Sequence, residues 1–103
     1  MKTLHLTLKK KWFDMIASGE KKEEYREVKP YWEKRLANVV VKIGGEDIEF
    51  KRWWDVVQFK NGYGKYSPII KYKWHRIEIR EGKPEWGAEP GKKYFVIKLG
   101  ERL

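Results

Sequence analysis

Cysteine is absent from the 103 residues. That removes disulfides, thiolate metal sites and a cysteine nucleophile together, and it fits a reducing cytosol. Histidine is nearly absent: His5 and His75 stand alone, neither with a partner at ligand spacing. No metal or other cofactor is therefore expected, with carboxylate-bound Mg²⁺ left open. Small hydroxyls are scarce too. Thr3, Thr7, Ser18 and Ser67 complete the set besides tyrosine, and none sits in a recognisable nucleophile motif. No stretch approaches the roughly 20 apolar residues that a membrane helix needs. The opening MKTLHLTLKKKW has no apolar h-region or cleavage site, so no export signal is expected. These absences lead to the expectation of a cytoplasmic monomer, residues 1–103 forming one domain with one modest core.

Acidic residues are in short supply against the basic ones. Lys and Arg total 24 against 15 Asp and Glu, a formal charge of +9. The excess is uneven, with ten basic against six acidic residues from Met1 to Arg35, and nine against three from Lys51 to Lys83. Leu36 to Phe50 is net acidic. Such a balance favours polyanions, nucleic acid first among them. What the chain has in plenty is aromatic side chains, 16% of residues with six Trp. Basic residues alternate with them in KRWW and KYKWHR, a combination that stacks on bases while holding phosphate. Each ring taken alone reads as core or strand filling, the commonest fate of large aromatics.

Along the chain, Leu4 to Leu8 (LHLTL) alternates as a half-buried strand. Lys10 to Ser18 reads as a short helix with Trp12, Phe13 and Ile16 on one face, ended by Gly19 in a left-handed C′ position. Lys21 to Glu27 lacks a 3.6-residue stripe and reads as extended. A second helix starts at Pro30, a favoured first-turn residue, and runs to about Ala37. VVVKI, DIEF and DVVQF are short strands, and Asn61-Gly62 is a turn opening onto a larger, mobile loop. In the long strand Ile69 to Arg80 the apolar phase changes. Ile70, Tyr72 and Trp74 share one parity, Ile77 and Ile79 the other, which marks a bulge. EPGKK is a turn, and Tyr94 to Leu99 is a final, mostly buried strand. Two helices with five to six short strands make an α+β domain with a curved or closed sheet.

The densest charge lies in SGEKKEEYREVKPYW, with seven charged residues before Val28. In an extended segment Glu24 and Arg26 share a face, and Lys21, at the junction with the helix, can turn to the same side. A Lys, a Glu and an Arg would then converge at the mouth of whatever the sheet encloses. Taken alone, the run reads at least as well as a solvated strand with a Glu–Arg pair worth under ~1 kcal/mol.

Gly19, Lys21, Glu24 and Arg26 match the G-x-K-x-x-E-x-R signature of ASCH domains, which belong to the PUA-like superfamily. The chain resembles that family firmly from Leu4 to about Leu36 and loosely beyond, where YFVIKLG is similar to the closing strand. The resemblance implies a small PUA-like β-barrel with a cleft beside the signature strand, and RNA or a modified nucleoside as partner. The implied binding residues are Lys21, Glu24 and Arg26, with Trp12, Trp53, Trp54 and Trp74 as stacking candidates. The alternative is a hydrolase of the same family, an acetylcytidine amidohydrolase or a ribonuclease, with Lys21 and Glu24 catalytic. A divalent metal enters only under the ribonuclease alternative. In the amidohydrolases the lysine equivalent to Lys21 activates a threonine, and Glu24 stands at that threonine's position here. A protein partner is the third reading, and no residue specifies one.

Overall fold

In the computed structural model, residues 1–36, 39–50 and 54–103 are described. The alternation of LHLTL places Leu4, Leu6 and Leu8 on one face of strand β1 (Thr3–Leu8). Helix α1 (Lys10–Ala17) follows and buries Phe13 and Ile16 against that face. Its start is poor by local criteria: Lys9 supplies no capping hydrogen bond, and the first turn carries lysines where the helix dipole favours acids. Tertiary packing carries it instead, at about 1.5–3 kcal/mol for each large apolar side chain buried. Tyr72 Oη donates to the Ile16 carbonyl at 2.8 Å, satisfying one acceptor at the helix end.

Strand β2 (Glu23–Glu27), helix α2 (Pro30–Leu36), strands β3 (Val39–Ile43) and β4 (Glu46–Phe50), β5 (Val56–Asn61), β6 (Ile69–Glu81), a 3₁₀ turn at Pro84–Trp86 and β7 (Lys93–Arg102) complete the chain. The main sheet has the order β1-β5-β6-β7-β2, and β3-β4 form a separate antiparallel pair. β1 and β5 run parallel, and the other neighbours in the main sheet antiparallel. One face of this sheet gathers Leu4, Leu6, Leu8, Val57, Phe59, Ile70, Tyr72, Phe95 and Ile97 into the principal core, covered by Phe13, Ile16 and Leu36. A smaller cluster of Ala88, Tyr94 and Val96, with Tyr25 against it, lies on the opposite face.

The phase change in β6 is a pair of register shifts against β7, between Tyr72 and Trp74 and between Trp74 and Arg76. Ile77 reaches the principal core, whereas Ile79 stays 60% exposed. The α+β class and both helices are as the sequence indicates. Closure of the sheet is not. β1 and β2 are its two margins, and no ladder joins them among the described residues. In place of a ladder, Arg26 on β2 donates from Nη2 to the Thr7 carbonyl of β1 at 3.3 Å. Among the described residues no helix is long and apolar enough to cross a membrane.

Candidate functional site

The site begins with the way α1 ends. Gly19 has φ +84°, a conformation that L side chains rarely adopt. Its N–H donates to Ile16 O at 3.0 Å, and Lys21 N–H reaches back to Met15 O at 2.9 Å. The first is the inner bond of a Schellman-type ending, and the second comes from one residue beyond that motif's outer donor, so the chain return is one residue longer. It reverses the chain so that Lys21 turns inward before β2 starts, and the lysine is only 2% exposed.

β2 then does something the other strands of the sheet do not. Its positions on the side of the principal core are Glu24 and Arg26 rather than apolar residues. Lys21 Nζ donates to Glu24 Oε1 at 2.9 Å, and Arg26 Nη2 donates to Glu24 Oε2 at 3.0 Å. The Tyr25 backbone N–H adds a third bond to Oε1 at 3.0 Å. The three heads expected to converge do meet, with Glu24 between the two cations. Rings complete the enclosure: Lys21 Nζ lies 4.7 Å from the Trp12 ring centroid and 5.5 Å from that of Tyr25, and the Arg26 guanidinium lies 5.0 Å from that of Trp32. Arg26 Nε is sealed from solvent with no protein acceptor.

This cluster forms the floor of a cleft of about 730 Å³. Trp12, Trp32 and Trp86 stand along its walls, Lys9, Lys29 and Lys92 supply cations, and Glu27 and Glu89 are the acids besides Glu24. Of the expected stacking residues that are described, only Trp12 lines the cleft. Trp54 and Trp74 pack against the principal core, and Trp54 Nε1 donates to the Arg35 carbonyl at 3.2 Å. Trp74 lies in β6 and Trp54 just ahead of β5, and neither lines the cleft. Trp53 lies outside the described residues. Trp32 and Trp86 were not singled out from the sequence. Pro30 immediately before the Tyr31-Trp32 pair, which starts α2 at the cleft edge, is the signal available for Trp32. Trp86 arrives through the 3₁₀ turn, whose next residue, Gly87, lies against the Trp12 ring.

Glu23 is the other residue the sequence conceals. It faces away from Glu24 and is buried as well, at 2% exposure. Arg80 Nη2 and Lys98 Nζ donate to its Oε1 at 2.7 and 2.9 Å, and Tyr25 Oη donates to its Oε2 at 2.7 Å. Burial alone would raise its pKa, but the bonds from Arg80, Lys98 and Tyr25 outweigh it and hold the carboxyl at about 2. Tyr25 is pushed above the usual phenol range, first by burial and then by its bond to Glu23. Arg80 is raised by its bonds to Glu23 and to Glu78. The Tyr25 hydroxyl also accepts the Lys83 N–H at 2.9 Å, which pins the segment leading to Trp86. This second network is fully paired and supports the cleft wall from behind.

No cluster of three or more His, Asp or Glu that could hold a metal ion occurs among the described residues. No family model, curated protein or solved structure matches this chain.

Proposed function

We propose that the cleft binds RNA or a modified nucleoside, and that the chain is an ASCH-type domain whose curled sheet is an unclosed form of the PUA-like barrel. The observation that carries the reading is the meeting of Lys21, Glu24 and Arg26 on the floor of a tryptophan-walled cleft. A volume of about 730 Å³ is in the range of small-ligand sites, and the chain's +9 charge favours a polyanionic ligand. Arg26 lines the cleft, is 20% exposed and has a planar fork suited to phosphate or a base edge. Lys9 and Lys29 supply further cations along the walls.

Hydrolysis ranks second on geometry. Both oxygens of Glu24 already accept from cations, so the carboxylate is not free to take a proton from water. Thr7 is on the cleft wall, but no hydrogen bond links its hydroxyl to Lys21 among the described residues. By the resemblance, the amidohydrolases' threonine falls at the position of Glu24, which weighs against their Lys–Thr nucleophile here.

Fluorescence anisotropy with labelled single-stranded RNA, alongside a panel of nucleosides, tests the proposal. Affinity for RNA is expected to fall with salt by about 0.7 log units per decade for each phosphate neutralised. Arg26→Ala is expected to weaken binding to both ligand classes. Lys29→Glu, at an exposed position, gives a variant with little risk to folding. Absence of binding to any RNA or nucleoside would end the proposal. Turnover of acetylcytidine or RNA that disappears in Lys21→Ala and Glu24→Gln would replace it with the hydrolase.

A further inference from the structure

We infer that the loop between β5 and β6 carries an outer base-stacking platform, Tyr63 and Tyr66, so that the ligand is a single strand of RNA running out of the cleft rather than a lone nucleoside. The inference rests on the nucleic-acid reading above. It starts from a contrast among the aromatic rings. Inside the cleft each tryptophan already carries a cation of the protein itself. Lys21 and Lys11 lie 4.7 Å from the Trp12 centroid, Arg26 5.0 Å from Trp32, and Lys83 4.3 Å from Trp86. Their faces are partly spoken for.

Tyr63 is the opposite case. It stands at the cleft mouth beside Gly62, is 91% exposed, and has no cation or aromatic partner among the described residues. Tyr66 is 90% exposed, with Lys65 Nζ 5.6 Å from its ring. Neither ring packs in the core, so the fold itself gives no reason for two large side chains here.

The loop is nonetheless anchored at its base. Asn61 N–H donates to Pro68 O at 3.0 Å, and Gly62 N–H to Leu8 O at 2.9 Å. Ser67 N–H donates to Gly64 O at 3.2 Å, closing a turn that holds Lys65 and Tyr66 at its tip. Leu8, where the loop is tied down, leads directly into Lys9, Lys10 and Lys11. Exposed rings beside a basic run, on a tethered loop at a cleft mouth, are what a sequence-tolerant single-strand path requires. Tyr63 and Tyr66 are three positions apart, at most about 10 Å along the chain, so one short single strand can reach both.

The test compares labelled octauridylate, measured by anisotropy, with free uridine, measured by tryptophan quenching. Wild type is expected to prefer octauridylate. Tyr63→Ala and Tyr66→Ala should each reduce that preference about five- to tenfold, by loss of one stacked base. Tyr66→Phe keeps the ring and should keep the preference. A double alanine variant that binds octauridylate as wild type does, while Lys29→Glu weakens it, overturns the platform and leaves the cleft standing. Octauridylate binding no tighter than uridine also overturns it. Failure of wild type to bind either probe overturns the platform and leaves the cleft to the wider RNA and nucleoside panel, and tyrosine-dependent capture of a protein without RNA binding assigns the loop to a protein partner instead.

Discussion

Glu24 sits between two cations on the core-facing side of β2, where its partner on β7 is Ile97. Its carboxylate gives Lys21 its one side-chain hydrogen bond among the described residues and holds Arg26 in place. Glu24→Gln keeps the shape but removes the charge, and it sets an amide donor against one of the cations. Loss of one member of a buried ion cluster costs about 3–5 kcal/mol. Arg26 is 20% exposed and can relax outward, so a loss near the lower end, about 3 kcal/mol, is expected in urea unfolding. A loss under about 1 kcal/mol would mean that the cluster behaves as a surface pair. That Glu24 and Arg26 share a face was legible from their spacing, and the inward turn of Lys21 from Gly19. Glu23 was not legible. Its partners Arg80 and Lys98 are 57 and 75 positions away, and its immediate neighbour is chemically identical. Only strand parity separates the two glutamates.

Among the elements, the segment from Gly82 to Gly91 is the one whose role the sequence hid. It has no apolar periodicity, yet its 3₁₀ turn brings Trp86 to the cleft, and Ala88 joins the smaller core. Gly82 is held there by proximity. A Cβ at that position would lie 2.6 Å from the Tyr25 ring and 2.7 Å from the Ala88 methyl. Gly82→Ala must therefore move Tyr25 and strain its bonds to Glu23 and the Lys83 N–H. Overpacking of this kind costs about 1–3 kcal/mol. A thermal melt should show a drop of roughly 4–8 °C per kcal/mol for a domain near this size, and an unchanged melting temperature would show that the segment accommodates the methyl freely. The β6 bulge, by contrast, was readable, because a switch in apolar parity within one strand has no other cheap solution. The places of Trp54 and Trp74 were not legible for the converse reason: aromatics flanked by basic residues look like a nucleic-acid surface wherever they pack.

At the scale of the molecule, the Glu23 network joins β2, β6 and β7, so its ionisation reports on the whole sheet. The carboxyl titrates at 4.5 in its ordinary state and at about 2 when folded. A folded-state value below the unfolded one means stabilisation fully present above pH 4.5 and lost as pH falls toward 2. The shift corresponds to roughly 3 kcal/mol. Wild type and Glu23→Gln, compared by urea unfolding at descending pH, should differ most above that window and converge through it. A gap independent of pH would show that the carboxylate's charge contributes nothing. The α+β composition of the molecule, two short helices with a set of short strands, could be drawn from periodicity. The open margin between β1 and β2 could not, since whether a curled sheet closes depends on cumulative twist rather than on any residue pattern.

That margin has a bearing on ligand capture. A single guanidinium stitches two strands whose bonded residues are 19 positions apart, and the same group faces the hollow where a phosphate or base would rest. Whatever draws Arg26 toward itself competes with the Thr7 carbonyl. On the proposed reading, the seam of the domain and its grip on a guest would share this one side chain.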